Sequence, residues 1–209
     1  MISYYLARVF KKLKPVAKCR SKIHSSARVG GGTQFIDSAM GRHSYCGYDC
    51  TILNTSIGAF CSIANNVKIG LASHPLEWVS TSSEFYGVEN TIAGKLAKNI
   101  YQSFSHTTTV ENDVWIAENV MIKAGVTIGT GAMIGMGSIV TKNVGPYEIW
   151  AGNPARCIRK RFDDKTIEAL LATQWWTWDE NTLEKYSQLI PDPQSFLKTY
   201  FDSRGDHNE

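Results

Sequence analysis

The chain has 209 residues, 43% of them hydrophobic and 20% charged, with 17 Gly and 6 Pro. That composition suits one domain with a sizeable core and excludes a disordered, collagen-like or coiled-coil chain. The net charge of +3 hides a polarity: residues 1–22 hold Arg8, Lys11, Lys12, Lys14, Lys18, Arg20 and Lys22 without an acid, whereas from Asp163 onward ten acids stand against four bases. Apolar runs such as Val114-Trp115-Ile116-Ala117 fall far short of the roughly 20 residues that a spanning helix needs, which excludes a helical membrane protein. Five cysteines without a Cys-x-x-Cys pair make no complete disulfide framework. No cleavable apolar leader opens the chain, and the two together favour the reducing cytoplasm. No nucleic-acid motif accompanies the basic head, so nucleic acid is not an expected partner.

The first predicted element is a basic amphipathic helix within residues 1–22, with Ile2, Tyr5, Leu6, Val9, Phe10 and Leu13 at helical spacing. Such a helix could cap a fold, pack on a partner, or make peripheral contact with an anionic membrane. An internal repeat follows. Ile23, Val29, Phe35, Met40, Cys46, Ile52, Ile57, Ile63 and Ile69 recur in steps of six, six and five, and Val110, Ile116, Ile122, Ile128, Ile134 and Val140 resume at a uniform six.

Gly or Ala often follows the apolar residue, where a tight corner and positive φ are expected, and a second small or apolar residue stands four positions on. A period of six with two inward positions fits neither a 3.6-residue helix nor simple alternation. It predicts an all-β solenoid: a three-sided parallel β-helix of about five coils over residues 23–155. The beat stops over residues 71–109, which predicts an excursion loop, ordered by Trp78, Phe85, Tyr86, Tyr101 and Phe104. Residues 156–209 predict a helical segment, with Asp163 and Asp164 as N-terminal caps before Ile167, Leu170 and Leu171.

The stretches Asn112-Asp113-Val114-Trp115-Ile116, Gly125-Val126-Thr127-Ile128-Gly129 and Gly152-Asn153-Pro154-Ala155, together with Ile57-Gly58-Ala59-Phe60-Cys61-Ser62-Ile63, resemble the hexapeptide-repeat acyltransferases. His74-Pro75 with Trp78-Val79-Ser80-Thr81, and Trp175-Trp176-Thr177-Trp178 in the tail, resemble the xenobiotic acetyltransferase branch. That branch includes chloramphenicol and streptogramin A acetyltransferases and O-acetyltransferases of surface polysaccharides. The resemblance covers Ile23 to about Trp178 and implies a left-handed β-helix, a homotrimer with sites at subunit boundaries, and acetyl-CoA as co-substrate without a metal.

By the same resemblance His74 is the general base for direct acetyl transfer to an acceptor hydroxyl. Imidazole suits the role because its ordinary value, near ~6.5, leaves it mostly neutral yet able to take a proton. Trp115 would line the pocket near the thioester, and Gly135, Met136, Thr141 and Lys142 the pantetheine groove. Arg156 and Arg159, in the basic cluster with Lys160 and Arg161, would meet the cofactor phosphates. Cys46, Cys50 and Cys61 fall at inward positions and read as core, and no three histidines converge to hold zinc. The expected acceptor is a sugar hydroxyl of a surface polysaccharide. Antibiotic O-acetylation and N-acetylation of a nucleotide-linked amino sugar are the alternatives. Where relatives continue Ser80-Thr81 with proline and an aromatic, this chain has Ser82-Ser83-Glu84-Phe85-Tyr86.

Overall fold

A computed structural model describes residues 6, 9–11, 13–71, 73–87, 95–101 and 106–205. Each turn of the chain lays down three short strands, and successive turns stack them in parallel, so that three sheets wall a prism. The first coil is β1 (Ala17–Cys19), β2 (Lys22–Ile23) and β3 (Arg28–Val29), and the second is β4 (Gln34–Ile36), β5 (Ala39–Met40) and β6 (Tyr45–Cys46). The third is β7 (Thr51–Leu53), β8 (Thr55–Ile57) and β9 (Ser62–Ile63). The fourth begins with β10 (Lys68–Leu71), breaks for an excursion holding β11 (Tyr86–Gly87) and β12 (Asn99–Ile100), and closes with β13 (Thr108–Val110) and β14 (Trp115–Ile116). β15 (Met121–Lys123), β16 (Thr127–Ile128) and β17 (Met133–Ile134) make the fifth. β18 (Ile139–Val140), a bridge at Val144 and β19 (Glu148–Gly152) begin a sixth, to which β20 (Ala155–Lys160) adds an antiparallel edge.

The three faces therefore hold six, five and seven strands. The solenoid starts at Ala17, ahead of the expected residue 23, and runs one partial coil beyond the expected five. The opening strand, β1, escapes the apolar count because Lys18 stands in the register position that Phe35, Ile52, Ile69, Ile122 and Val140 fill in later coils.

The ladder fills the prism. Phe35, Ile52, Ile63, Ile69, Ile116, Ile128, Ile134 and Val140 are fully buried, as are Cys61 and Val67 at second inward positions. Burying one such side chain contributes about 1.5–3 kcal/mol. Cys46 and Cys50 are also core residues, and burial pushes the Cys61 thiol up to about 12, which leaves it protonated and unreactive.

Gly70 has the expected positive φ, at +73°, but other corner glycines have a different cause. Gly30, Gly41, Gly47 and Gly58 are absent from the positive-φ residues. They are small because a Cβ would lie 2.3–2.7 Å from atoms of the next coil. Positive φ instead falls two residues later, at Gly32, Asp49, Asn66, Asn119 and Gly137, where Asn and Asp tolerate the left-handed region.

Each corner of the prism has its own covering. The first corner, between the first and second faces, releases the excursion after Leu71. The second, between the second and third faces, carries the C-terminal helices α1 (Asp164–Thr173), α2 (Glu180–Tyr186) and α3 (Pro193–Gly205). Their small core of Ile167, Leu170, Tyr186, Phe196, Leu197 and Tyr200 joins the solenoid through Tyr147.

Arg42 donates to the carbonyls of Trp176 and Trp178, His43 meets Glu180 at 2.7 Å, and the Phe60 ring meets Trp175 at a tilt, with centroids 5.0 Å apart. Near the third corner, the carbonyls of Lys11 and Lys14 lie 2.5 and 2.6 Å from where a Cβ of Gly31 would stand. The end of the N-terminal helix thus caps the first coil. Its described apolar residues, Leu6, Val9, Phe10 and Leu13, are 52–69% exposed. Ile2, Tyr5, Arg8 and Lys12 lie outside the described residues.

Higher up the second corner, Arg161 donates to the Gly131 carbonyl at 2.7 Å, lies 3.5 Å from Asp113, and stacks over Tyr147 and Phe162. Burial holds the Asp113 carboxyl above its ordinary value, and Arg161 opposes that rise. Arg161→Met is expected to cost about 2–3 kcal/mol, because it strands a partly buried carboxylate and a carbonyl. Asp113→Asn should recover part of the loss, since Asn accepts the φ of +53° found there. A carboxyl raised in the folded state destabilises in its charged form, so its penalty is absent below the unfolded value and grows as pH rises through it. The deficit of Arg161→Met in urea titrations should accordingly be larger at pH 7 than at pH 4, and an equal deficit at both would show that Asp113 is not its source.

Candidate functional site

His74 leaves the prism three residues after Leu71, so chain reach alone keeps it within about 11 Å of the first corner. Gly70 at that root has φ +73°, and a Cβ there would sit 2.0 Å from the Leu53 carbonyl oxygen. Only glycine lets the chain turn out at this point. The excursion then builds its own framework. Ser82 Oγ accepts from the Glu84 amide at 3.2 Å, and β11 pairs in parallel with β12. Trp78, Tyr86 and Tyr101 meet edge to face with centroids 5.4–6.0 Å apart. Tyr86 is 2% exposed.

The His74 ring stands on this framework, with Nδ1 2.8 Å from the Thr81 carbonyl oxygen and 2.7 Å from Tyr86 Oη. A carbonyl oxygen can only accept, so Nδ1 carries the proton and Nε2 presents its lone pair. Among the described residues no carboxylate bonds to His74; Glu84 Oε1 instead accepts from the Lys95 amide at 3.0 Å. Thr81 and Tyr86 are visible in the sequence as the end of the Trp78-Val79-Ser80-Thr81 stretch and as one of the aromatics of the excursion, but not as partners of His74. The first contributes a main-chain atom that any residue would supply, and the second comes to His74 only through the fold of the loop.

The other candidate residues divide into two groups. Thr141 and Lys142, both exposed, follow β18 at the first corner, in the same column as the excursion root. Trp115, 44% exposed, lies on the third face, where the outward positions stack as Arg28, Tyr45, Ser62, Trp115, Met133, Ile149 and Arg159. Gly135 and Met136 turn the third corner directly after β17. A corner joining two walls of a three-walled prism looks away from the third wall. A single chain therefore places His74, Thr141 and Lys142 on the side opposite Trp115.

Among the described residues, the third corner beside Gly135 is open. Met136 is 73% exposed, and a Cβ on Gly137 would meet nothing within 4 Å. Ala151 closes over Gly135, where a Cβ would be 2.9 Å from its own, and Arg156 lies opposite Ala151. Within the basic cluster, Lys160 pairs with Asp164 and Arg161 with Asp113. Arg156 and Arg159 each donate only to a backbone carbonyl, at 2.9 and 3.0 Å, and form no ion pair among the described residues. Arg156 beside the open corner and Arg159 on the adjoining third face fit the phosphates of an extended thiol-ended cofactor. Lower on the third face a groove of about 760 Å³ is lined by Arg28, His43, Tyr45, Tyr48 and Asn65.

Residues 107–142 match the model of the bacterial transferase hexapeptide family (six repeats). The chain is 42% identical over 138 residues to a chloramphenicol acetyltransferase of Klebsiella aerogenes, covering 65% of this chain and 63% of that one. It thus spans a little under two thirds of that relative. It is 43% identical over 125 residues to a probable macrolide acetyltransferase of Lysinibacillus sphaericus, covering 58% of this chain and 68% of that one. Among solved structures, a point mutant of the N-acyltransferase AntD from Bacillus cereus was determined in complex with dTDP-4-amino-4,6-dideoxyglucose and coenzyme A. It superposes with a TM-score of 0.52 at 15% identity, covering 82% of this chain and 96% of that one. At that identity the likeness is one of fold.

Proposed function

The chain belongs to the hexapeptide-repeat acetyltransferases, and we propose that it transfers an acetyl group from acetyl-CoA to an acceptor hydroxyl, with His74 as general base. The observation that carries this reading is the His74 geometry: Nδ1 is occupied by the Thr81 carbonyl at 2.8 Å, which leaves Nε2 as a free base on an exposed ring. Acetyl-CoA, when bound, supplies the activated acyl group. His74 Nε2 would take the proton of the acceptor hydroxyl as that oxygen attacks the acetyl carbonyl; the thioester C–S bond then breaks, the proton passes from His74 to the departing sulfur as CoA leaves as the thiol, and the Nδ1–H bond holds the ring in place while it is charged. Arg156 and Arg159 would hold the phosphates, Gly135 and Met136 would border the arm, and the Trp115 ring would exclude water from the reacting end. Thr141 and Lys142 would close the arm from the first corner of a neighbouring copy.

The opposed placement of His74 and Trp115 supports a site shared between copies, and a closed homotrimer supplies one such boundary per chain. The third-face groove suits the acceptor. Two phenol rings can face the apolar side of a sugar, while Arg28 and Asn65 meet its hydroxyls. We therefore favour a sugar hydroxyl, as in a polysaccharide. An antibiotic hydroxyl is the second reading, favoured by the names of the chloramphenicol and macrolide relatives.

The test is mass-spectrometric detection of acetylated product. The protein is incubated with acetyl-CoA and polysaccharide fragments, chloramphenicol, a macrolide, a streptogramin A and nucleotide-linked amino sugars. Ester product on a glycan alone is expected. Product on an antibiotic alone replaces the first reading by the second, and an amide stable to alkaline hydroxylamine overturns O-transfer.

The exposed row Leu6, Val9, Phe10 and Leu13 lies in the basic stretch 1–22 and suits peripheral contact with an anionic bilayer. Flotation with vesicles containing phosphatidylglycerol, but not with pure phosphatidylcholine, is expected. Equal recovery with both lipids, or none with either, removes that contact.

A further inference from the structure

We propose that Tyr86 is a positioning residue for His74, sharing the Nδ1 proton with the Thr81 carbonyl so that two neutral oxygens take the place of an orienting carboxylate. The inference rests on the reading of His74 as base and adds a group which that reading does not require. Tyr86 Oη is 2.7 Å from Nδ1, as close as the Thr81 oxygen at 2.8 Å. The Thr81 contact forces the proton onto Nδ1, so Tyr86 Oη meets an N–H and accepts from it, and a single donor is divided between two acceptors.

The phenol is built to stay there. Tyr86 is 2% exposed, begins β11, and is walled by the edges of Trp78 at 5.8 Å and Tyr101 at 5.4 Å. Tyr101 is itself tied to Ser73 Oγ at 3.3 Å, next in sequence to His74. The His74 and Tyr86 rings meet edge on, with centroids 6.2 Å apart and an interplanar angle of 77°, so the phenol addresses the imidazole from the side of its nitrogen rather than its face.

The mechanism follows from charge. In resting His74 the shared N–H is neutral and its bonds are modest. When Nε2 takes the acceptor proton, the positive charge spreads to Nδ1–H, and both oxygens then make charge-assisted bonds of about twice the strength. The gain falls on the state formed during transfer and not on the resting enzyme, so it should appear in kcat rather than in the affinity for either substrate. No carboxylate needs to be buried for this purpose, which avoids desolvating an acid beside the acceptor.

Tyr86→Phe keeps the ring between Trp78 and Tyr101 and removes only the oxygen. We expect kcat to fall about tenfold, with both KM values within about twofold. In ¹⁵N-resolved NMR of the histidine-labelled protein, the wild type should show the Nδ1–H tautomer of His74 with a downfield, slowly exchanging proton. In Tyr86→Phe that proton should move upfield and exchange faster. Tyr86→Leu, which removes the ring as well, should in addition lower thermal stability. A residue that merely packs would give a Tyr86→Phe enzyme with unchanged kcat and an unchanged imidazole spectrum, and that result overturns the proposal. The spectrum does not depend on turnover. A wild type inactive on every acceptor but showing the shifted proton would count against acetyl transfer and not against Tyr86.

Discussion

His74→Ala is expected to lower kcat for acetyl transfer about 10³-fold, within the 10²–10⁴ range of a lost general base, while KM for acetyl-CoA stays within about twofold. The size follows from the absence of a substitute among the described residues that meet His74. Thr81 offers a carbonyl and Tyr86 a neutral phenol, both directed at Nδ1, and neither can take a proton from the acceptor at neutral pH. Cys61, with its thiol held near 12 by burial, lies inside the prism and cannot reach a substrate. The unchanged KM follows from geometry, because Arg156, Arg159, Gly135 and Met136, assigned to the phosphates and the arm, stand on the third face and corner, and Thr141 and Lys142 follow β18 rather than the excursion that carries His74. The variant should also fold normally. His74 is exposed and belongs to neither hydrophobic cluster, so urea denaturation should match the wild type. Steady-state kinetics with the acceptor identified by mass spectrometry make the measurement. An alanine variant that retains more than about a tenth of wild-type kcat would remove His74 from the role of base.

The parts of this fold that were legible in the sequence are those in which a side chain alone records its surroundings. The six-residue beat marks inward positions because apolar side chains pay no desolvation cost in the prism, and Ile52, Ile69, Ile122 and Ile134 occupy those positions. Where the ends of the solenoid meet solvent or another element, the record fades. Lys18 holds the register position of an inward residue in the open first coil, yet is exposed. At the other end Trp150 follows Ile134 by 16 residues, where the step before it, from Ile116 to Ile134, is 18. The corner glycines were visible, but their cause was not. A residue kept small by the next coil and one kept small by its own φ look alike until the stacking is known.

The site divides in the same way. His74 could be singled out from the pattern His-Pro-x-x-Trp-Val-Ser-Thr, which ends on Thr81, but the letter Thr does not say that its main-chain carbonyl meets Nδ1. Tyr86 was visible only as one of the aromatics expected to order the excursion, and its contact with His74 needed the pairing of β11 with β12. In the basic cluster at residues 156–161 the sequence already put Arg156 and Arg159 ahead of Lys160 and Arg161 as candidates for phosphate. The structure separates them by giving acid partners to Lys160 and Arg161 and none, among the described residues, to Arg156 and Arg159. Residue spacing alone did not show that His74 and Trp115 look away from each other; that required each strand to be assigned to its wall.

That opposition sets the second large expected effect. Trp115→Asp, which places a charge at an exposed third-face position, is expected to lower activity about 100-fold, in line with a displaced reacting group. His74→Ala should be lower still. Mixed assemblies of the two inactive chains should nevertheless work. In a three-membered ring with the site at each boundary, one chain contributes His74 and its neighbour contributes the third face. A ring with two copies of one variant and one of the other has a single boundary where an intact His74 meets an intact Trp115. Differently tagged chains, co-expressed and purified through both tags, should then recover about one third of wild-type activity per ring. A site completed within one chain predicts no recovery, since every chain then lacks one of its two groups. The walls of the prism favour recovery: β10, which releases the excursion, is in the first face, and β14, which carries Trp115, is in the third. Assay of the doubly tagged species beside each variant alone decides the matter, and activity no higher than that of the better single variant would place the whole site on one chain.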